Sequence, residues 1–256
     1  VAAVLRLAPI AGQTGLAGQT NVQGEAQKAL DVISNDIVLN HIRANAEISI
    51  LVSEELDEAV HIENQGAFMV ATDPLDGSSN LDVNGAVGTI FSVLPAAGGL
   101  LQPGSAQLAA GYAVFGPATA LVLSFGSSTV VFTLDNSGRY LLTHDNVCVP
   151  EATSEYAINA ARERFWDSAT RRYVAENVAG ETGPAGKRYN MRWVGSMVAD
   201  IHRILMRGGV FMYPRDTKDP SKPGRLRLLY EANPVSFLIE QAGGMASTGH
   251  DRLMEV

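Results

Sequence analysis

Five short segments between Gly85 and His144 constrain the fold of this chain more than any other feature. Each is rich in β-branched and aromatic residues, and Gly, Pro, Asn and Ser stand between them. Short apolar runs separated by turn residues predict successive β-strands. The predicted strands are Val87–Leu94, Gly111–Phe115, Ala120–Ser124, Thr129–Leu134 and Arg139–Thr143.

Helical spacing of apolar residues marks the rest of the chain. Ala29–Ala46 places Leu30, Ile33 and Ile37 on one face, which predicts an amphipathic helix. After Pro150 we expect three helices and one strand, at Ala160–Asn177, Gly195–Met206, Pro234–Ala242 and Val210–Tyr213 respectively. We therefore predict an α/β layered fold in two parts, residues 1–150 and 151–256.

Composition limits the classes of function. The 256 residues are 46% hydrophobic and carry a net charge of −8, so a basic face for nucleic acid is not expected. No uncharged apolar stretch is long enough to cross a membrane. The single cysteine, Cys148, excludes an internal disulfide, is expected to be buried, and fits a reducing, cytoplasmic compartment.

The segment Asp73–Asn80, with sequence DPLDGSSN, is the most informative motif. It follows the apolar run Phe68–Ala71, and Pro74 fixes the backbone between Asp73 and Asp76. The next residues, Gly77-Ser78-Ser79, offer backbone N–H groups to an anion. Two carboxylates beside such a pocket suit a magnesium ion that bridges to phosphate, although a capped turn with solvated acids remains an alternative.

Other acids follow apolar runs in the same way. Glu54 and Glu55 follow Ile48–Val52, and Glu231 follows Leu226–Leu229. Asp31 lies in the first turn of the predicted helix. Each could be a solvated acid, but converging carboxylates repel one another unless a cation compensates them.

Phosphate contacts have candidates in the second part of the chain. Arg225 and Arg227 would point to one face if their segment were extended, and an arginine fork suits phosphate. Arg192 precedes a predicted helix start, Tyr213 could donate a hydrogen bond from its hydroxyl, and Asn159 follows the run Tyr156-Ala157-Ile158. Solvated arginines, a core tyrosine and a turn asparagine are the structural alternatives.

Several long blocks resemble the class I fructose-1,6-bisphosphatases, in particular their bacterial members. They are LDVISND from Leu30, LVSEE from Leu51, DPLDGSSN from Asp73, VGSMVADIHRIL from Val194 and LRLLYEANP from Leu226. The resemblance spans nearly the whole chain. It implies a layered αβαβα sugar-phosphatase fold, a homotetramer, and hydrolysis of fructose 1,6-bisphosphate to fructose 6-phosphate in gluconeogenesis.

The resemblance also implies roles for individual residues. Two or three magnesium ions, with manganese or zinc as substitutes, would be bound by Glu54, Glu55, Asp73, Asp76, Glu231 and the Leu75 carbonyl. Asp31 and Glu55 match positions that activate water, and Glu25 matches an acidic position on a catalytic loop.

The resemblance also implies that the two phosphate groups of the substrate are bound by different residues. The 1-phosphate would contact Arg227 and the segment Asp76-Gly77-Ser78-Ser79. The 6-phosphate would contact a second set: Asn159, Arg192 from a neighbouring subunit, Trp193, Tyr213 and Arg225. Trp193 stands where the family commonly has Tyr, and Arg225 where it has Lys.

Three alternatives remain open from the sequence. One is sedoheptulose-1,7-bisphosphatase activity, alone or together with the fructose activity. Another is an inositol-phosphate phosphatase, which shares the Asp-Pro-x-Asp-Gly motif but would not need Arg225, Tyr213 and Asn159 together. A third is a non-catalytic sugar-phosphate sensor on the same fold, which we would expect to have lost an acidic ligand.

Overall fold

The computed structural model describes residues 1–13, 15–20, 26–220 and 224–256. Its helices are α1 (Ala2–Leu7), α2 (Ala29–Arg43), α3 (Ser168–Ala179), α4 (Met197–Arg207) and α5 (Asn233–Gln241). Its strands are β1 (Leu16–Thr20), β2 (Ala26–Lys28), β3 (Ile48–Ser53), β4 (Val60–His61), β5 (Phe68–Asp76), β6 (Val87–Pro95), β7 (Ala109–Phe115), β8 (Thr119–Ser124), β9 (Thr129–Leu134), β10 (Tyr140–His144), β11 (Glu155–Ala157), β12 (Asn190–Met191) and β13 (Val210–Phe211). Within this described part, no helix has the length and apolar character that a membrane crossing requires.

The main sheet contains eight strands in the order β10-β9-β8-β7-β6-β5-β3-β4. From β5 to β10 each strand pairs antiparallel with the next one, which confirms the five predicted strands. The pairing of β9 with β10 is supported by the turn between them. There Asp135 Oδ1 accepts hydrogen bonds from the backbone N–H groups of Ser137 and Arg139, at 2.8 and 2.9 Å. β3 departs from the pattern because it runs parallel to β5.

Helices cover this sheet. α2 contacts β3 and β5, α4 contacts β6 and β7, and α5 contacts β6 to β9. The largest core cluster joins sheet residues such as Ile90 and Tyr112 to Val198 of α4 and Leu238 of α5. A second, parallel sheet has the order β12-β11-β13, and α4 also contacts β13. Helices and sheets are therefore stacked in layers, and the predicted layered α/β class is confirmed.

The prediction of one helix over Ala160–Asn177 is wrong. A 3-10 helix covers Ala160–Phe165 and α3 begins only at Ser168. Trp166 is buried with an extended backbone, which ends the first helix. Asp167 then caps α3, since its side chain accepts a hydrogen bond from Thr170 N at 2.7 Å.

Two further predictions need correction, and the apolar run before Glu231 takes a form that the sequence did not indicate. The predicted strand Val210–Tyr213 is regular only at Val210–Phe211, and the apolar run Leu226–Leu229 leads into a π-helix, Leu228–Ala232. Cys148 is exposed rather than buried. Its neighbours Val147 and Val149 pack into or against the main core cluster, whereas the cysteine between them lies at the surface.

Candidate active site

The carboxyl end of β5 carries three of the predicted metal ligands, Asp73, Leu75 and Asp76, and all three are buried. In a regular strand, residues three apart face opposite sides. Here the pairing of β5 with β6 shifts register between Asp73 and Asp76, and Leu75 N donates to Asp73 Oδ1 at 3.0 Å. This irregularity, which accompanies Pro74, brings the two carboxylates to the same place.

The amino end of α4 anchors Asp76. Ser196 Oγ and Val198 N both donate to Asp76 Oδ2 at 2.9 Å, and Met197 N donates to Oδ1 at 3.3 Å. A helix amino end favours a negative charge because its N–H groups have no partners inside the helix. The first turn of α4 therefore fixes the orientation of this carboxylate.

Gly77 makes the contact between β5 and α4 possible. Its φ is +76°, and a Cβ atom added there would lie 2.5 Å from the Ser196 Cβ atom. Any other residue would meet both an unfavourable backbone conformation and a steric clash. The 3-10 helix Ser78–Asn80 follows immediately.

Carboxylates from distant parts of the chain meet at this point. One oxygen each from Asp73, Asp76 and Glu231 lies within 4.8 Å of the other two. Glu231 belongs to the π-helix Leu228–Ala232. Glu54, also buried, follows β3, and its backbone N–H donates to the Thr72 carbonyl of β5 at 3.1 Å. The parallel pairing of β3 and β5 thus brings both strand ends to one edge.

Burial and mutual repulsion disfavour the charged forms of these acids. Burial, with the nearby charges of Glu54 and Asp76, raises the pKa of Asp73 well above its usual range. Burial also raises the pKa of Asp76, although the hydrogen bonds from Val198 and Ser196 oppose it. The pKa of Glu231 rises to about 8, again mainly through burial. A divalent cation would compensate these charges, and the donor set consists of the oxygen ligands that hard cations prefer.

Arg227 supplies positive charge to the same cluster. Its guanidinium group forms ion pairs with Glu54 and, through Nη1 at 3.3 Å, with Glu231. Its backbone N–H also donates to Glu231 Oε2 at 2.6 Å. The arginine side chain is mostly buried, at 21% exposed, so its charge acts in a poorly screened environment.

The two residues proposed to activate water lie beside the carboxylate cluster. Asp31 is buried in the first turn of α2, where its Oδ2 accepts a hydrogen bond from Lys28 N at 2.6 Å. Glu55 directly follows Glu54 and is partly exposed. Both line the same cavity as the acids described above.

That cavity has a volume of about 240 Å³. It collects most of the residues that the sequence singled out: Asp31, Glu54, Glu55, Asp73, Leu75, Asp76, Gly77, Ser78, Ser79, Trp193, Tyr213, Arg227 and Glu231. The cavity therefore joins the predicted metal ligands to the predicted contacts of the 1-phosphate and to two of those of the 6-phosphate.

Three predicted substrate contacts do not line this cavity, namely Asn159, Arg192 and Arg225. Asn159 caps the 3-10 helix Ala160–Phe165, as in the structural alternative, because its Oδ1 accepts from Ala161 N at 3.2 Å. Arg192 is exposed. Arg225 and Arg227 do not act on one shared group, since Arg225 forms an ion pair with Asp216. Glu25 lies outside the described residues.

Phe211 and Asp200 also line the cavity, and no pattern in the sequence had indicated either of them. Phe211 stacks on Trp193 with ring centroids 5.9 Å apart, and Tyr213 meets Trp193 edge-on at 5.6 Å. The Asp200 carboxylate accepts hydrogen bonds from Val194 N and Gly195 N. Asp200 lies in the first turn of α4, a position that a search for acids near helix starts would have found.

Together these features define a class of site. Buried oxygen ligands stand beside an arginine and beside the amino end of a short helix, in a cavity large enough for a small molecule. Such a site suits metal-assisted chemistry on a phosphate group, because cations and oriented N–H groups stabilise the charge of the transferring phosphoryl group.

Comparisons with known proteins agree with this class. The family description "Fructose-1-6-bisphosphatase, N-terminal domain" matches residues 1–145, and "Fructose-1-6-bisphosphatase, C-terminal domain" matches residues 149–256. A curated relative, "Fructose-1,6-bisphosphatase class 1" of Shewanella amazonensis, is 52% identical over 263 residues. That match covers 100% of this chain and 82% of the relative.

Solved structures give the same result. The holo form of Leishmania major fructose-1,6-bisphosphatase superimposes with a TM-score of 0.94 at 36% identity, covering 100% of this chain and 81% of that one. The apo form gives a TM-score of 0.86 at 34% identity, covering 100% and 80%. The chain belongs to the fructose-1,6-bisphosphatase family.

Proposed function

We propose that this chain hydrolyses the 1-phosphate of D-fructose 1,6-bisphosphate, giving fructose 6-phosphate and inorganic phosphate. The observation that carries the proposal is the convergence of Asp73, Asp76 and Glu231 beside Arg227 in one cavity. Family membership supplies the substrate class. The reaction belongs to carbohydrate metabolism, in the direction of gluconeogenesis.

The carboxylates would hold two or three magnesium ions, for which manganese or zinc could substitute. The ligands would be Glu54, Glu55, Asp73, Asp76, Glu231 and the Leu75 carbonyl. Bound metal would polarise the phosphoryl group and lower the pKa of a bound water. The close approach of three buried carboxylate oxygens, from Asp73, Asp76 and Glu231, is the observation that supports a cation here.

Residues of the chain would bind the substrate and accept a proton from the attacking water. Arg227 would balance the charge of the 1-phosphate, with help from the backbone of Gly77, Ser78 and Ser79. Asp31 and Glu55 would accept the proton of the attacking water. Tyr213 and Trp193 would contact the sugar and its 6-phosphate.

Assembly and organisation are part of the proposal. A homotetramer would let Arg192, which is exposed here, reach the 6-phosphate of a neighbouring subunit together with Asn159 and Arg225. We propose residues 1–150 and 151–256 as the two subdomains and the cytoplasm as the compartment. Sedimentation velocity would test the assembly, because a tetramer has four times the 27.2 kDa mass of one chain.

Phosphate release from three substrates at saturating magnesium tests the substrate assignment. We expect kcat/KM for fructose 1,6-bisphosphate to exceed that for sedoheptulose 1,7-bisphosphate and for inositol 1-phosphate. Comparable values for the two bisphosphates would indicate a dual-activity enzyme. A preference for inositol phosphate, or no release from any of them, would reject the proposal; the second result is what a non-catalytic sensor would give.

A further inference from the structure

Asp200, in the first turn of α4, is a buried acid to which the proposed reaction gives no role. It is 2% exposed and lines the cavity. Its two carboxylate oxygens bind two successive backbone N–H groups: Oδ1 accepts from Val194 N at 2.9 Å, and Oδ2 accepts from Gly195 N at 3.1 Å. The N–H group of Asp200 donates to the Ser196 carbonyl at 3.1 Å, at the start of α4. The side chain therefore closes the turn that leads into the helix.

The position of Asp200 requires a carboxylate although it disfavours a charge. Burial raises the pKa of Asp200, the hydrogen bonds from Val194 and Gly195 oppose that rise, and the charge of Asp76 adds to it. An asparagine would avoid the charge, but it has only one acceptor oxygen. Its NH2 group would face the second backbone N–H group. Only a carboxylate of this size can bind both N–H groups in the observed arrangement.

The turn that Asp200 closes lies between two parts of the site. Trp193 precedes the turn, and its indole ring stacks on Phe211 in the cavity wall, with ring centroids 5.9 Å apart. Ser196 follows the turn and donates from its hydroxyl to Asp76 Oδ2 at 2.9 Å. A displaced turn would therefore move an aromatic residue of the wall together with a hydrogen-bond donor to a proposed metal ligand.

Burial contributes little to fixing this turn. Val194 is 46% exposed, and Gly195 is exposed as well. Gly195 has a φ of +80°, in the left-handed region that favours glycine. Since the turn is exposed and its backbone conformation is unusual, its two hydrogen bonds to Asp200 are the contacts that fix it.

We propose that Asp200 is a positioning residue for the hydrolysis reaction: by binding both N–H groups of the turn, it holds the Trp193 ring in the cavity wall and Ser196 against Asp76. The inference rests on the proposed function, since it names the reaction that Asp200 supports. Asp200 acts through the turn, and no contact with the reacting atoms is assigned to it.

Steady-state kinetics of Asp200→Asn test this role. The change removes a hydrogen bond to a charged group, so we expect kcat/KM for fructose 1,6-bisphosphate to fall about tenfold or more. Asp135→Asn is the matched control: Asp135 also accepts from two backbone N–H groups, those of Ser137 and Arg139, but it does not line the cavity. The control should keep the kcat/KM of the unaltered protein. The same result for Asp200→Asn would overturn the inference.

Acrylamide quenching of tryptophan fluorescence distinguishes a displaced turn from a lost substrate contact. The chain has two tryptophans, and Trp166 is 2% exposed, so quenching reports mainly on Trp193. In Asp200→Asn the quenching constant should rise about twofold or more, because a loosened turn exposes the indole ring. In Asp135→Asn it should not change. A slower reaction of Asp200→Asn with unchanged quenching would overturn the positioning role.

Gly195→Ala disturbs the same turn while Asp200 is retained, and it decides the question if Asp200→Asn does not fold. The added Cβ atom would lie 3.5 Å from the nearest atom, so the effect is backbone strain without a clash. We expect a fall in kcat/KM and a rise in quenching of the same size as in Asp200→Asn. Gly126→Ala is the control, because Gly126 has a φ of +88° and its nearest neighbour lies 3.8 Å away.

The control should leave both quantities unchanged, and equal effects of the two glycine variants would overturn the inference. Quenching does not depend on turnover. Failure of the unaltered protein to hydrolyse fructose 1,6-bisphosphate would therefore reject the proposed function, whereas the quenching experiment would still test whether Asp200 holds the turn.

Discussion

Three acidic residues at the site are buried and also close to one another, and both conditions disfavour their charged forms. Asp73, Asp76 and Glu231 are almost completely buried, yet they lie close enough to repel one another when charged. Burying an unpaired charge is strongly unfavourable, and Arg227 compensates only part of the cluster. The metal-free protein must therefore keep protons on some of these acids, and a bound cation would replace them.

Replacing one acid by its amide should separate stability from activity. Asp73→Asn removes a buried acid that must either carry a charge close to Glu54 and Asp76 or take up a proton when the chain folds, so we expect a higher Tm for the metal-free protein. The same change removes a proposed ligand, so turnover with magnesium should fall on the order of 100- to 1000-fold. Differential scanning fluorimetry and a phosphate assay measure the two effects. Asp251→Asn, at an exposed acid, is the control and should change neither; full activity of Asp73→Asn would refute the ligand assignment.

The raised pKa of Glu231 predicts a pH dependence. Its ordinary pKa is 4.5 and its pKa in the folded protein is about 8, so between these values the folded state binds more protons than the unfolded state. The free energy of unfolding of the metal-free protein should therefore fall as pH rises through that window. Metal competes with these protons for the same oxygens.

The increase in Tm on adding magnesium should consequently grow from about pH 5 to about pH 8. Thermal unfolding with magnesium or with a chelator, at matched ionic strength, measures this difference. Glu240→Gln is a suitable control, because Glu240 pairs with Arg252 and does not line the cavity that holds the acids. A magnesium effect that stays constant across this range would contradict the account.

At this scale the sequence predicted the acids better than the cations. Asp73, Asp76, Glu54 and Glu231 all follow apolar segments, and a run ending in an acid is visible in sequence. The partner of a given arginine is not visible, because it depends on side chains far away in the chain. Arg225 meets Asp216 rather than sharing a face with Arg227, and no local pattern indicated this.

Among the elements, α4 contacts the site at two places. Its amino end binds Asp76 through three hydrogen bonds, and Asp200 in its first turn holds the backbone at Val194 and Gly195. The loop that carries Trp193 and the end of β5 are thereby joined to one helix.

The close contact between β5 and α4 predicts the effect of a single methyl group. Gly77→Ala should lower stability by about 2–4 kcal/mol, from left-handed backbone strain and from the clash with Ser196, and should reduce activity as Asp76 moves. Gly126→Ala isolates the strain, because Gly126 also has a positive φ, of +88°, but its nearest neighbour lies 3.8 Å away. We expect about 1–2 kcal/mol there with activity retained. Urea unfolding and turnover measure both variants, and equal effects at the two glycines would contradict the proposed contact.

Helices and strands were predicted correctly from the sequence where the spacing of apolar residues was regular. The strands β6 to β10 and the helices α2, α4 and α5 were predicted close to their observed bounds. The interruption at Trp166 and the π-helix before α5 were not predicted, because tertiary contacts decide them: burial of an indole ring in one case, and the bonds between Arg227 N and Glu231 in the other.

For the whole molecule, the site exists only when both parts of the chain are folded together. Asp73, Asp76 and Glu54 come from the first part, whereas Glu231 and Arg227 come from the second. The main sheet supplies the strand ends and the helices of the second part close over them. Composition and residue spacing alone predicted the layered fold class and the candidate acids. Only the family resemblance indicated that acids from both parts of the chain meet at one site.

A magnesium titration of the metal-stripped protein, with phosphate release from fructose 1,6-bisphosphate as the signal, tests the central claim most directly. The account predicts negligible release in the presence of a chelator and a saturable rise as magnesium is added back. Release at the full rate without any divalent cation would contradict it.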